Sequence, residues 1–206
     1  MLYTYDDAII SDIKASINSQ NANPNVVMSD PETYPGILAQ IQNDTITYPL
    51  ILVERDADMP IITELWNFSR AQFGIPAAFD KKENNIYFER SLPVDISYTI
   101  RILTTNTADT DELAKELFYK YLSMYYLTIQ LPYESDRKLR FGIDIDLAYG
   151  IKRDSGSFDY IKTGALYQAT LHLKTHGCVM LSYTPRHLTR EVLSDDIDIL
   201  PPNSDK

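Results

Sequence analysis

Apolar and polar residues alternate strictly from residue 139 to residue 151, and this pattern predicts one long β-strand. The odd positions carry apolar side chains, and the even positions carry polar, charged or small ones. Such alternation is typical of an antiparallel strand with one face on a core. At ~3.3 Å per residue the strand would extend roughly 43 Å, well beyond an ordinary strand. We expect this strand to project beyond its domain and to offer a binding surface to another protein.

Further strands complete a predicted antiparallel sheet. Residues 94–103 alternate in the same way, with Val94, Ile96, Tyr98, Ile100 and Ile102 on the inward face. Residues 163–179 are predicted to form a long hairpin with the first strand across a loop at 152–160. An apolar run at 46–54 predicts another strand, in which Pro49 must lie at an edge or bulge because it lacks an N–H. A further short strand is predicted at residues 86–90.

Three helices are predicted between these strands. Residues 1–20 carry an apolar stripe that includes Ile9, Ile13 and Ile17, and residues 36–42 predict a second, short helix. The third begins at Asp109, which together with Glu112 resembles a capping box, and its apolar face runs on to residue 125. The predicted class is α+β, with an antiparallel-rich mixed sheet, a long β-hairpin and helices packed on one face.

The predicted helices and strands divide the chain into three parts. Residues 1–45 are predicted to be an N-terminal helical extension, residues 46–184 an α+β core domain, and residues 185–206 an acidic C-terminal arm. Residues 55–82 show no clear period and are interpreted as an insertion or a long structured loop.

Composition narrows the function classes. The net charge of −10 argues against a general nucleic-acid binder, which needs a basic patch to replace phosphate counterions. The single cysteine excludes an internal disulfide and fits a reducing compartment, and no apolar run approaches the ~20 residues of a membrane span. With seven glycines, the chain has no phosphate-binding fingerprint, so we expect no cofactor. The 15 tyrosines suit interfaces.

Candidate chemistry is confined to a few polar side chains. If the strands lie in a suitable register, Asp144, Asp146, His172 and His176 could share a sheet face and bind a divalent cation, as in a metal-dependent hydrolase. The interpretation that we prefer is a solvated strand face without metal, since Arg140, Lys152 and Lys174 balance its charge. Cys178 is expected to be a buried small hydrophobe. The acidic group of Glu54, Asp56 and Asp58 is expected to lie in a solvated turn.

Two stretches resemble the tail-terminator and tail-completion proteins of long-tailed bacteriophages. They are LPVDISYTIRILTTNTADTDELAKELFYKYL, which begins at residue 92, and LRFGIDIDLAYGIKRDSGSFDYIKTGALYQATLHL, which begins at residue 139. In that family a strand enters an acid-capped helix, and antiparallel strands with a long hairpin follow. The resemblance covers roughly residues 46–181 and is one of pattern, without an invariant motif.

The resemblance implies a non-enzymatic virion protein, assembled in the host cytoplasm, that caps the tail tube and joins it to the neck as a hexameric ring. Its partners would be further copies of itself and the tail-tube, sheath and neck proteins, while DNA passes through the lumen without specific binding. The residues then expected to face the lumen or a neighbouring subunit are Asp95, Thr99, Arg101, Arg140, Asp144, Asp146, Thr170 and Lys174. The alternatives are another neck or baseplate adaptor, the hydrolase, and a cytosolic binding domain of unknown ligand.

Overall fold

A computed structural model describes residues 2–18, 25–30, 33–43, 45–62, 75–80, 85–89, 91–130, 138–154 and 166–181. These ranges contain three helices, α1 (Leu2–Asn18), α2 (Tyr34–Gln42) and α3 (Thr107–Lys120). They also contain eleven strands: β1 (Asn25–Met28), β2 (Leu50–Arg55), β3 (Ile75–Asp80), β4 (Asn85–Glu89), β5 (Ser91–Val94), β6 (Ser97–Thr104), β7 (Tyr125–Gln130), β8 (Lys138–Ile145), β9 (Lys152–Asp154), β10 (Tyr167–His176) and β11 (Cys178–Leu181). None of these helices is long and apolar enough to cross a membrane.

The chain divides into two compact units. Unit 1 comprises Met1–Ile61 and Val94–Cys178, and unit 2 comprises Ile62–Pro93 and Val179–Lys206. In unit 2, β3 pairs with β4 in an antiparallel hairpin whose register shifts between Pro76 and Ala78. The pair β5 and β11 forms a separate two-stranded sheet.

Unit 1 is built on a seven-stranded sheet with the order β1-β2-β6-β10-β8-β7, in which β9 also pairs with β10. The pair β1–β2 is parallel, and the remaining pairs are antiparallel. The predicted α+β class with an antiparallel-rich mixed sheet is therefore confirmed. The alternation predicted for residues 94–103 is confirmed within β6, where Tyr98, Ile100 and Ile102 are fully buried, but the predicted strand is interrupted at residues 95–96, between β5 and β6.

Helices α1 and α3 pack on one face of this sheet, which we call the covered face. Buried polar contacts hold α1 in place there. The Tyr98 hydroxyl donates to the Asp6 carboxylate at 2.8 Å, and Arg55 of β2 lies 2.5 Å from the same carboxylate. Further along α1, Asp12 accepts from the Tyr121 hydroxyl at 2.5 Å, and Lys120 pairs with it at 2.6 Å. Two carboxylates of α1 thus bind groups presented by the sheet and by the end of α3.

The short helix α2 differs from the other two helices because it packs on the opposite face. Its side chains Ile37 and Ile41 join an apolar cluster with Leu50 and Leu52 of β2 and Leu103 of β6. The segment predicted as an N-terminal extension therefore belongs to unit 1, and it also supplies β1, which was not predicted. Pro49 stands just before β2, where its carbonyl accepts from the Asn25 N–H at 2.9 Å.

The prediction of one uninterrupted strand over residues 139–151 is wrong. The strand β8 ends at Ile145, a turn follows at residues 147–149, and β9 begins at Lys152. The Asp146 side chain accepts a hydrogen bond from the Ala148 N–H at 3.0 Å, which closes the turn. Gly150 has a φ of +59°, a backbone angle that residues other than glycine rarely adopt. The apolar residues Leu147 and Tyr149, predicted to face the core, are exposed instead.

The third helix also departs from its prediction at both ends. Its N-cap is Asn106 rather than Asp109, since the extended Asn106 accepts from the Ala108 N–H at 3.0 Å while Asp109 lies in the first turn. The helix ends at Lys120, and the residues predicted to continue its apolar face form β7. The sequence YYLTIQ is rich in aromatic and β-branched residues, which fit a pleated strand better than a helix.

Several predictions fall partly outside the described residues. The last long strand, predicted at 163–179, is observed as β10, and the short strand predicted at 86–90 is observed as β4. Most of the loop at 152–160, the middle of the segment 55–82 and the whole C-terminal arm from residue 185 lie outside the described residues.

Candidate interaction surface

The face of the sheet opposite α1 and α3 carries a band of polar side chains beyond the area that α2 covers, and we call this band the polar face. The strand register explains the grouping. Thr170 pairs with Arg101 and His172 with Thr99 across β10 and β6, while Lys174 pairs with Asp144 across β10 and β8. Six of the eight predicted residues lie on this face: Thr99, Arg101, Arg140, Asp144, Thr170 and Lys174.

The other two predicted residues, Asp95 and Asp146, lie outside the strands. Asp95 stands in the short link between β5 and β6, where its N–H donates to the Pro60 carbonyl at 3.0 Å. Asp146 follows β8, and its carboxylate caps the turn that was not predicted. The expectation that both project from a strand on the same face was wrong because the strands break at these two positions.

The register also separates the four candidate metal ligands. His176 lies 3.0 Å from Asp144 through Nε2, whereas His172 lies 3.2 Å from the Thr99 hydroxyl through Nδ1. Asp146 is engaged by its own turn. Within the described ranges, no group of three or more histidine, cysteine or acidic side chains is placed to hold a metal ion. The four residues proposed for a hydrolase are therefore divided among three separate contacts: the His176–Asp144 pair, the His172–Thr99 contact and the turn closed by Asp146.

A chain of contacts crosses the middle of the polar face. The Thr99 hydroxyl donates to the Asp56 carboxylate at 3.1 Å, so its remaining contact with His172 requires the proton to be on Nδ1 of the imidazole. The His172 ring packs against Tyr149 with 4.5 Å between ring centroids. Beside this chain, Arg101 pairs with Glu54 at 2.8 Å. Charged groups on this face thus have partners on neighbouring strands.

Sequence reasoning missed three contributors to this face. Glu54 and Asp56 were assigned to a solvated turn, but Glu54 is part of β2 and Asp56 follows it directly. Tyr149 was assigned to the core because it keeps the apolar alternation of residues 139–151. The sequence feature that could have placed Tyr149 in a turn is the spacing of Asp146 and Gly150, which is typical of a turn closed by an aspartate side chain and a left-handed glycine.

Exposed apolar side chains gather at one edge of the same sheet. We call Leu122, Met124, Tyr125 and Tyr126 the β7 surface, since they lie on β7 or in the segment just before it. All four are exposed, with Tyr126 at 50%. The Arg140 guanidinium carbon lies 4.1 Å from the centre of the Tyr126 ring. Gly142 of β8 leaves room for the Met124 side chain, because a Cβ at position 142 would lie 3.0 Å from the Met124 sulfur.

A second exposed apolar group lies in the turn between β8 and β9. We call Leu147, Tyr149 and Ile151 the turn surface. Leu147 is 66% exposed, and the Lys152 ammonium lies 5.1 Å from the centre of the Tyr149 ring. The β9 strand that follows is held to α3 by an ion pair between Arg153 and Asp111. The turn surface is thus presented between two anchored strands.

The one cysteine does not contribute a reactive group. Cys178 is fully buried, as predicted, and its thiol donates to the Thr175 hydroxyl at 3.2 Å. Burial raises the pKa of the Cys178 thiol to about 12, despite the opposing effect of that hydrogen bond. The thiolate needed for nucleophilic attack is therefore scarce at neutral pH.

Comparison with known proteins adds no family assignment. A scan of the chain against models of protein families finds no match, and a search of curated proteins finds no match either.

Proposed function

We propose that this protein is a structural subunit of a phage virion that caps the tail tube and joins it to the neck as a homo-oligomeric ring. One observation carries the proposal. The β7 surface exposes apolar and aromatic side chains along β7, which is an edge strand of the unit 1 sheet among the described residues. Contiguous exposed apolar side chains mark sites of protein interaction, and an edge strand offers unpaired backbone groups to a second chain.

A ring places a further demand on its subunit. Each subunit contacts its neighbours head to tail, so it needs two different surfaces that fit each other. The β7 surface and the turn surface are two such groups, on separate segments of unit 1. Both contain tyrosine, which supplies large apolar contact area and a polar tip at interfaces. The two surfaces support a head-to-tail assembly better than a symmetric dimer.

The charge distribution supports passage of DNA without its capture. The polar face holds Arg101 and Lys174, but Glu54 pairs with the first and Asp144 lies opposite the second. These two positive charges thus have acidic neighbours, Arg140 of the same face lies over the Tyr126 ring, and the whole chain carries −10. A lumen lined by such a surface would not bind the DNA backbone tightly, because tight binding requires a net positive patch. The resemblance to tail-terminator proteins points to the same role.

Electron microscopy of tail tubes tests the proposal. The purified protein is mixed with phage tail tubes, and the tube ends are imaged. We expect a ring of density on one end of each tube. Protein that neither binds tube ends nor forms rings at high concentration would contradict the proposal. Binding to neck or baseplate proteins alone would favour the adaptor alternative.

A matched pair of variants connects the result to the surface. Met124→Ser with Tyr126→Ser removes apolar area from the β7 surface, whereas Tyr3→Ser with Tyr34→Ser removes exposed tyrosines from α1 and α2. We expect the first pair to abolish the ring density and the second pair to retain it. Equal loss in both would show that the β7 surface has no special part in assembly.

A further inference from the structure

We propose that the exposed face of α3 in one copy of this chain docks against the turn surface of a second copy, where two lysines of the polar face receive its carboxylates. The inference deepens the proposed function and rests on it, since it names the contact that would join neighbouring subunits of the ring. The receiving surface, the helix face that would occupy it and the spacing of the charges on both support it.

The receiving surface combines exposed apolar side chains with basic ones. Tyr149 is 51% exposed, and its ring packs against His172 in the middle of the polar face. Lys152 lies on one side of this contact, with its ammonium 5.1 Å from the centre of the Tyr149 ring, and Lys174 lies two residues beyond His172 on β10. Neither lysine has an ion-pair partner among the described residues. Both are therefore available to carboxylates of a second molecule.

The occupant is a stripe of side chains on α3 that the sheet does not cover. Asp109, Glu112, Glu116 and Tyr119 follow one another at spacings of three, four and three residues, so they share one helix face, and we call them the α3 stripe. Tyr119 is 66% exposed. Within the part of the chain that the structure describes, the three carboxylates have one cationic neighbour, Lys115, which lies 3.9 Å from Glu116. Like charges on one helix face repel each other, so a basic partner would stabilise this stripe.

The charges on the two surfaces have similar spacings. Asp109 and Glu116 are seven residues apart on α3, which at ~1.5 Å per residue is roughly 10 Å along the helix. Lys152 pairs with Thr170 across β9 and β10, and Lys174 lies four residues further along β10, which at ~3.3 Å per residue is roughly 13 Å. Long glutamate and lysine side chains span the small difference. Each end of the α3 stripe thus meets a lysine, with the exposed tyrosine of the turn surface between them.

The positions of these charges favour a second copy as the partner. Helix α3 packs on the covered face, whereas Lys152 and Lys174 lie on the polar face, so the acidic and basic groups of one copy are on opposite faces of its sheet. A second copy placed head to tail brings them together. Two α3 stripes would repel each other, as would two basic surfaces, so the charges disfavour a symmetric contact.

The α3 stripe is also continuous with the β7 surface. Its last residue, Tyr119, stands three residues before Leu122, whose N–H donates to the Tyr119 carbonyl at 3.5 Å. One side of the contact would then consist of the α3 stripe and the β7 surface, and the other side of the turn surface with its two lysines. Apolar and charged groups would thus be matched across the same contact.

Charge reversals test the inference in the full-length protein. The helix variant carries Glu112→Lys and Glu116→Lys, and the turn variant carries Lys152→Glu and Lys174→Glu. Sedimentation velocity over a wide concentration range measures self-association of each. We expect the wild type to associate and each variant alone to lose at least about tenfold in affinity, because like charges then face each other. An equimolar mixture of the two variants should associate again, since each offers the other an opposite charge on both sides.

A matched control separates this contact from an effect of net charge. Asp7→Lys, Ser11→Lys and Ala15→Lys together change the net charge by the same amount as the helix variant, at exposed positions of α1. We expect this control to associate like the wild type. An equal loss in the control and the helix variant would overturn the inference, because net charge alone would then explain both.

The remaining outcomes are equally decisive. Melting temperatures show whether each variant folds, and if Lys174→Glu is unstable opposite Asp144, Lys152→Glu alone serves as the turn variant. Undiminished association of each variant alone, or no recovery in the mixture, would overturn the inference. A wild type that stays monomeric would overturn it as well. If that monomer still caps tail tubes, the proposed function stands without this contact.

Discussion

The two faces of the unit 1 sheet differ in what their side chains contact. On the covered face, Tyr98, Phe141 and Leu171 are almost fully buried beneath helices. Its polar groups are buried too, such as Asp6, which binds Tyr98 and Arg55. On the polar face, Asp144 and His176 pair with each other while about a third of each side chain remains exposed.

Because the two faces differ in this way, we expect the covered face to determine the stability of the fold and the polar face to be available for contacts with partners. Substitutions on the covered face create cavities or leave buried polar groups without partners, so they should change the free energy of unfolding. Substitutions on the polar face and the β7 surface remove exposed contacts, so they should leave folding nearly unchanged. We therefore expect assembly and stability to respond to different sets of residues in one sheet.

The largest expected contrast lies between two neighbouring aromatic residues. Phe141 is 1% exposed and packs edge-on against Tyr5 with 5.0 Å between ring centroids, whereas Tyr126 on the adjacent strand is exposed. We expect Phe141→Ala to lower the free energy of unfolding by about 3–5 kcal/mol. Tyr126→Ala should cost about 1 kcal/mol or less. Urea denaturation measures both, and similar losses would remove the distinction between the faces.

The next contrast concerns two tyrosine hydroxyls. Tyr98→Phe removes the hydrogen bond to the buried Asp6 carboxylate, and we expect a loss of about 1–3 kcal/mol in thermal or urea unfolding. Tyr149→Phe on the exposed turn surface is the matched control and should change stability by about 0.5 kcal/mol or less. A Tyr98→Phe variant as stable as the wild type would show that Asp6 does not need this donor.

A weaker effect is expected for the ion pair of the polar face. Since both partners are about one third exposed, the coupling between His176 and Asp144 should be no more than about 1 kcal/mol. A double-mutant cycle with His176→Ala and Asp144→Asn measures it by urea denaturation at a pH where the histidine is protonated. A coupling several times larger would contradict the interpretation of this face as solvent-exposed.

The smallest effect is a change in pH dependence. Burial raises the pKa of the Asp6 carboxyl above its ordinary value of 3.8, although the hydrogen bond from Tyr98 and the charge of Arg55 oppose this, and nearby Asp30 adds to it. The folded state therefore keeps this proton to higher pH than the unfolded chain, and the stability gained from it is lost as pH rises through the raised pKa. The difference in unfolding free energy between wild type and Asp6→Asn should fall over that range. A difference independent of pH would contradict the raised pKa.

The sequence alone was sufficient to predict the strands and helices in which the apolar positions of the pattern are also the buried ones. The alternation of Tyr98, Ile100 and Ile102 predicted the inward side of β6 correctly, because these three positions all lie on the covered face. The α+β class followed from such strands together with the apolar stripe of α1. These features depend on local periodicity, which a single sequence displays directly.

The errors arose where local chemistry overrode periodicity. Leu147, Tyr149 and Ile151 continue the apolar alternation, yet the Asp146 side chain and Gly150 turn the backbone there. Residues 124–130 continue the apolar character of α3, yet they pair with β8. The contacts of the polar face depend on the register between β8 and β10, and the pattern of one strand does not specify the register of its partner.

The central claim is that the β7 surface serves assembly and not folding. The most direct experiment is sedimentation velocity of the folded wild type and of the Met124→Ser, Tyr126→Ser variant at matched concentrations, with the melting temperature of each measured on a separate sample. We expect a self-associating wild type and a monomeric variant with an unchanged melting temperature. A variant that assembles like the wild type, or one that loses assembly only because it unfolds, would contradict it.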